Sequence, residues 1–444
     1  MASGPDDQPR RRYFDNAATS FPKPPAVAEA MLRFMTGNGA PGRGAYSEAR
    51  AAARLIRRAR ERIARLVNLS SPEHVVFGHN TSDSLNLAVK GALTHVRRAR
   101  NNAPLHVVTT VMEHNSILRP LNALRQEWGG GESDGLEITF VHADPGSGFV
   151  DPAHVAGAIR PGRTALICIN HASNVTGAVQ DLDAIGAACA KFGTGSADLD
   201  APLLLVDGAQ SLGHVPVDMQ RMCIDLLAFP GHKGLLGPTG TGGLCIRPGV
   251  EHRLDTVREG GTGSSSEEQT QPAMMPEKYE AGSHNTVGIV GLSEGVAWIL
   301  ERGVDSIREH EIQLMERMLE ALAPRPDGRC RNAPGLRLLG PLDTSHRVGV
   351  FSFVHDDLSA QEMAAALESS FGILTRAGLH CAPLVHEMLG TSPTTTDSAR
   401  SGAVRLSVGP FLQAHDVAYA CEALASVCRG IAPRSRLASS PLGD

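Results

Sequence analysis

Between Glu48 and Val250 the sequence alternates repeatedly between apolar runs of strand length and longer stretches with apolar residues at helical spacing. The runs are HVVFG, LHVVTTV, LEITFVH, TALICIN and PLLLVD. Their near-continuous Val, Ile and Leu suit strands covered on both faces. SDSLNLAVKGALTHV, SILRPLNALRQEW and DLDAIGAACAKF supply the helical stretches between them. Parallel neighbours need a crossover, so this alternation predicts a doubly wound α/β domain with a mostly parallel sheet.

A chain of 444 residues exceeds what one core comfortably fills, so a second unit is expected. REGGTGSSSEEQTQPAMMPEKYEAG predicts a long loop, and SEGVAWILERGVDSIREHEIQLMERMLEAL a helix crossing to a smaller α+β domain. There VGVFSFV and AVRLSV read as strands around a helix at SAQEMAAALES. The expected divisions are an N-terminal segment over 1–35 packing with the small domain, a large domain over 36–295, the small domain over 296–430 and a flexible tail over 431–444. No run approaches the roughly 18 apolar residues of a membrane span. Scattered arginines and a net charge of −5 offer no nucleic-acid surface. The start lacks the apolar core of a secretory signal, and the eight cysteines form no CxxC pair. Together these predict a cytoplasmic chain without a zinc or other metal site.

Ligands of open α/β sheets bind beyond the carboxyl ends of the strands. HVVFG runs into HNTSDSLN, placing Thr81 and Ser82 at a helix start, where free N–H groups and hydroxyls suit a phosphate; an ordinary N-cap is the alternative. LHVVTTV leads to His114, TALICIN to Asn174, and PLLLVD ends on Asp207 with Gln210 one turn later. A buried Asp207 needs a cationic partner, unless it merely caps the next helix. Neither a P-loop nor a GxGxxG fingerprint is present, so the phosphate belongs to neither ATP nor NAD. In LLAFPGHKGLLGPTGTGG, Lys233 is the lone formal charge between Asp225 and Arg247, and one of only five lysines. A lysine in a dry, glycine-lined pocket serves as amine nucleophile or base, which arginine cannot do. A Schiff-base lysine, an acid for a pyridine nitrogen, partners for a phenolic oxygen and a phosphate cradle are what pyridoxal 5'-phosphate requires.

Among the cysteines, Cys168 and Cys245 sit in apolar runs, and Cys189, Cys421 and Cys428 on helical stretches. Cys381 lies instead in a Gly-containing loop beside His380, five residues after Arg376. Positive neighbours there favour a thiolate, a buried structural thiol being the alternative.

YFDNAATS, the EHN segment, SNVTG, VDGAQS with Lys233 of GHK 26 residues beyond Asp207, YEAGSHNT and RAGLHCAP together resemble the class V aminotransferase family. The resemblance runs from about Tyr13 to Val417 and points to the cysteine desulfurase branch of these fold type I pyridoxal enzymes. It implies a homodimer acting on L-cysteine or a related amino acid. Lys233 would hold the cofactor and His114 stack on its ring. Asp207 would pair with the pyridinium nitrogen, and Asn174 and Gln210 would reach the phenolic oxygen. Thr81, Ser82, His232 and the partner's copy of Ser283 would serve the phosphate. Arg405, Arg376 and Asn16 would meet the substrate. Cys381 would take the sulfur as a persulfide, releasing alanine, for passage to an acceptor protein or thiol; its short loop is similar to that of the second desulfurase group. A selenocysteine lyase, a C–S lyase, an aminotransferase or a silent sulfur-carrier scaffold on the same fold remain alternatives. Three features depart from the family pattern: Pro230 in place of Ser or Thr, Leu379 in place of His, and the lengthening segment TSPTTTDSARSG.

Overall fold

The apolar runs fold as strands of a single sheet. The computed structural model describes residues 10–39, 44, 46–130, 135–194, 201–264 and 266–430; the expected tail over 431–444 lies outside them. Strand β1 (Arg12–Tyr13) precedes helices α1 (Pro25–Gly37) and α2 (Ser47–Leu66). Strand–helix alternation then follows: β2 (Val75–Gly78), α3 (Thr81–Ala99), β3 (Leu105–Thr110), α4 (Asn115–Trp128), β4 (Leu136–Val141), α5 (Pro152–Ala158), β5 (Thr164–Asn170), α6 (Leu182–Ala190) and β6 (Leu203–Asp207). Strands β7 (Leu226–Pro230) and β8 (Gly242–Ile246) complete this part.

The sheet order is β2-β8-β7-β6-β5-β3-β4. The pairs β3–β4, β3–β5, β5–β6 and β6–β7 are parallel, and β8 runs antiparallel to both β7 and β2. Successive residues of the central strands enter opposite cores. Leu204, Val206, Ile167 and Ile169 pack on one face, while Leu203, Leu205, Leu166 and Cys168 pack on the other. Burial on both faces explains why these strands read as unbroken apolar runs.

The chain continues through α7 (Thr286–Arg302), α8 (Val304–Leu322), β9 (Leu336–Leu339), β10 (Val350–His355), α9 (Ala360–Phe371), β11 (Ile373–Leu374), β12 (Arg376–Gly378), α10 (Pro383–Met388), β13 (Ala403–Ser407) and α11 (Ala414–Arg429). A four-stranded antiparallel sheet, β12-β13-β10-β9, packs with α8, α9 and α11 around a third core containing Phe351, Phe353 and Leu406. The fold is thus a mostly parallel α/β sheet followed by an α+β unit.

Two local expectations differ from what is observed. The single crossing helix is two helices, because Gly303 adopts φ 81° and ends α7 before α8 starts. The 1–35 segment divides: β1 pairs in parallel with β11 and Asp15 bridges to Ser407, whereas α1 packs on α7. Among the described residues no helix is long and apolar enough to cross a membrane.

Candidate active site

The carboxyl ends of β2, β3, β5, β6 and β7 converge on a cavity lined by Asn80, Thr81, Ser82, His114, Ser116, Asn170, Asn174, Asp207, Ala209, Gln210, His232 and Lys233. Every cofactor candidate read from the sequence except Ser283 is in that lining. Helix α3 starts here, its N-cap Asn80 accepting from the Asp83 N–H at 2.9 Å, which makes Thr81 the first helical residue. Asn80, rather than Thr81 or Ser82, is therefore the cap. Helix α4 also starts here, and His114 is its N-cap: Nδ1 accepts from the Ser116 N–H at 3.1 Å. The Ser82 and Ser116 hydroxyls lie 2.6 Å apart, joining the two helix starts.

Asp207 closes β6, is 3% exposed and accepts the Ala209 N–H at 3.0 Å. Burial raises its carboxyl, and the nearby Lys233 opposes that rise. Burial draws the Lys233 ammonium down to about 8; Asp207 pulls it back up, and Arg405 and Arg376 push it further down. His114 is pushed down to about 4 by burial and then by Lys233, and His232 to about 4 by burial, Lys233 and Lys23. Both imidazoles are therefore neutral near pH 7, consistent with His114 accepting at Nδ1.

The peptide that carries Lys233 is pinned by the N-terminal segment. Ser20 N, Thr19 Oγ1 and Lys23 Nζ donate to the His232 carbonyl at 3.0, 3.1 and 2.8 Å, and Ser20 Oγ donates to the Lys233 carbonyl at 2.8 Å. Gln210 Nε2 donates to the Ala17 carbonyl at 2.9 Å, tying the same segment to the cavity wall.

Arg376 and Arg405 stand directly opposite each other on β12 and β13. Arg405, 1% exposed, donates to Asp15 Oδ1 at 2.9 Å and to the Asn174 carbonyl at 3.1 Å. Cys381 is exposed, with Arg376 Nη2 3.9 Å from its sulfur. Exposure removes the alternative of a buried structural thiol. The other cysteines are buried except the partly exposed Cys223. Burial pushes the thiols of Cys189, Cys421 and Cys428 up to about 12, and that of Cys330 to about 11, leaving them poor nucleophiles.

Like Arg376, Arg405 and Cys381, the candidates Ser283 and Asn16 lie outside the cavity lining. Ser283 is exposed on the loop after Gly282, which takes φ 91°. Asn16 donates to the Ser407 carbonyl at 3.1 Å and accepts the Phe21 N–H at 3.2 Å, so its amide fixes a turn rather than facing the cavity. Sequence reasoning missed Asn80, Ser116, Asp15 and Glu113. Asn80 and Ser116 are near neighbours of the candidates Thr81 and His114, in HNTS and EHNS. Glu113 is 0% exposed, accepts from Thr110 Oγ1 at 2.8 Å and the Asn170 N–H at 3.0 Å, and is raised to about 8 by burial. Nothing in the sequence marks it apart from its neighbour His114.

The family model described as aminotransferase class-V matches residues 12–419. The chain belongs to the class V aminotransferase family. It is similar to a probable cysteine desulfurase of Methanothermobacter thermautotrophicus, with 32% identity across 94% of this chain and 95% of that one. A cysteine desulfurase of Salmonella agona is 31% identical across 83% of this chain and 84% of its own length. Among solved structures, the apo cysteine desulfurase of Thermococcus onnurineus NA1 superposes with a TM-score of 0.81 at 28% identity, covering 97% of this chain and all of that one. The Escherichia coli cysteine desulfurase CsdA, solved as an S-sulfonic acid, gives 0.76 at 26% identity, with 95% of each chain covered.

Proposed function

We propose that this protein is a pyridoxal-phosphate-dependent cysteine desulfurase that moves sulfur from L-cysteine onto Cys381. The observation that supports this most is an exposed thiol beside Arg376, on the turn next to a cavity that contains Lys233, Asp207 and His114. Desulfurase relatives over most of the chain agree with it.

The lining fits the cofactor. Asn174 Oδ1 and His232 Nδ1 are buried without a hydrogen-bond partner, and Asp207 uses one carboxylate oxygen on the Ala209 N–H. A phenolic O–H would donate to Asn174 Oδ1, a protonated pyridine nitrogen would donate to the Asp207 carboxylate, and a phosphate would accept from the His232 ring N–H. Lys233 would hold the cofactor covalently and Asp207 its ring nitrogen. His114 would cover the ring face, and Asn174 and Gln210 would flank the phenolic oxygen. The α3 start with Thr81, Ser82 and His232 would take the phosphate. When bound, the cofactor supplies an electron sink that acidifies the substrate α-carbon.

The remaining chemistry belongs to the chain. Arg405 and Arg376 hold the substrate carboxylate, guanidinium to carboxylate. Lys233, its ammonium drawn to about 8, can shed and regain a proton near neutral pH, as a base at the α-carbon must. The Cys381 thiolate attacks the substrate sulfur. An S–S bond forms, the substrate C–S bond breaks with its electron pair left on carbon, and protonation there gives L-alanine and a Cys381 persulfide. An acceptor thiol or protein then takes that sulfur. Ser283, exposed and outside its own chain's cavity lining, supports a homodimer in which it serves the partner's phosphate. Eight free cysteines support a reducing, cytoplasmic setting.

Cys381→Ala tests the assignment. Alanine formation from cysteine falls by roughly three powers of ten, as for loss of a nucleophile, while cofactor binding persists. If the variant still releases alanine and sulfide at a near-native rate, the desulfurase reading fails and a C–S lyase replaces it.

A further inference from the structure

We propose that Asn174 is a positioning residue for Cys381: its side-chain amide, set in the cavity wall, holds the turn that carries the thiol. This rests on the reading of Cys381 as the sulfur-accepting residue. Asn174 is 6% exposed, and its Nδ2 donates to the His380 carbonyl at 2.5 Å. That bond fixes the amide's orientation, since the reverse orientation would set two oxygens against each other. Oδ1 is left buried and without a partner.

The turn itself needs holding. His380 has φ 51° and Cys381 φ 61°, two successive non-glycine residues in the left-handed region, an arrangement that persists only when its surroundings enforce it. The Asn115 N–H of α4 donates to the Cys381 carbonyl at 2.8 Å, and the Ala382 N–H closes the turn onto the Leu379 carbonyl at 3.0 Å. The His380 ring is turned inward, its centroid 5.8 Å from that of the buried His386. Asn174 supplies the side-chain bond on the carbonyl between these restraints. The sulfur is thereby kept beside Arg376.

Asn174 can do this because its own backbone is fastened to the α+β unit. The carbonyls of residues 174, 175, 176 and 177 accept in succession from Arg405 Nη1 at 3.1 Å, Ser352 Oγ at 2.6 Å, Arg347 Nη2 at 3.4 Å and the Val348 N–H at 2.9 Å. Asn174, at the head of this loop, lines the cavity, and the loop's carbonyls are bonded to Arg405 and Ser352 of the four-stranded sheet and to the segment leading into β10. Cavity wall, carboxylate-binding arginine and thiol turn therefore share one piece of backbone.

The test uses the full chain, with and without pyridoxal phosphate, as Asn174→Ala, as the near-isosteric Asn174→Asp that lacks the donor, and as Ser352→Ala. Ser352→Ala removes a bond to the neighbouring carbonyl of the same loop without touching the thiol turn. Deuterium exchange at the Asn115 and Ala382 amides rises about tenfold in both Asn174 variants, the equivalent of one buried hydrogen bond, and stays near native in Ser352→Ala. The rise is the same without cofactor, which separates the turn contact from any contact with a phenolic oxygen. In the loaded enzyme kcat for alanine falls about tenfold while KM for cysteine changes little, because the Arg405 bond is to the main-chain oxygen of Asn174 and survives. Native exchange in both Asn174 variants overturns the proposal whatever their activity. An active Cys381→Ala would instead overturn the desulfurase reading and leave the exchange result intact.

Discussion

Glu280→Ala should destabilise this protein far more than loss of a surface ion pair, and the structure fixes the scale. Glu280 meets Arg60 through two contacts, Nη1–Oε1 at 2.7 Å and Nη2–Oε2 at 2.6 Å, with side chains only 8% and 10% exposed. The same carboxylate accepts the buried Phe77 N–H at 2.6 Å. Truncation leaves a buried guanidinium without its counter-charge and a strand N–H without an acceptor. Arg60 keeps the Val75 carbonyl and the Phe77 ring, 4.6 Å away, which relieve but do not neutralise it. Breaking a buried pair from one side costs about 3–5 kcal/mol. The comparison is Glu368→Ala, whose pair with Arg11 is 55% and 61% exposed and should be worth about 0–1 kcal/mol. Urea unfolding at one protein concentration, with equal m-values, reads both differences. Glu280 also opens the loop that presents Ser283, and Asn285, capping α7 and donating to the Gly240 carbonyl at 3.1 Å, closes it. Loss of the clamp should therefore hasten cofactor release as well. A cost for Glu280→Ala no larger than that for Glu368→Ala would refute the reasoning, because the pair would then be solvated in solution.

Borohydride treatment of the loaded protein should fix cofactor mass on Lys233 alone, and Lys233→Ala should carry no adduct; an adduct on another lysine would contradict the assignment. In the cofactor-free chain the Lys233 amine titrates near 8 when folded and near its ordinary 10.5 when unfolded. The unfolded state therefore binds more protons between these values, and native protein should gain stability relative to Lys233→Met as pH rises from 8 to 10, read from urea midpoints. Sedimentation at assay concentration should find a dimer, and an active monomer would remove Ser283 from the phosphate site.

Much of the fold is legible because burial on both faces writes β3, β5 and β6 as continuous apolar runs. β8 was not legible for an equally physical reason. Its GGLCI begins with two glycines, poor strand formers, yet a Cβ on Gly243 would lie 2.6 Å from both the Phe229 ring and the Val76 carbonyl. Here close packing of β2 and β7 selects glycine over strand propensity. Lys233 and Asp207 stood out because a charge amid apolar or glycine residues needs a reason to be buried, and the structure places both in one cavity wall. Asp15, Glu113 and the bond from Asn174 to His380 did not stand out, because each gains its meaning only from a partner brought in by the fold. Asn174 and His380 are 206 residues apart, and Asp15 and Arg405 are 390 apart. Asn16 shows the converse: a polar residue in a telling motif whose amide proves to be engaged by the Ser407 carbonyl and the Phe21 N–H. A local pattern can nominate a charged group for burial, but whether its polar neighbours face a ligand or the backbone depends on contacts that only the tertiary fold creates.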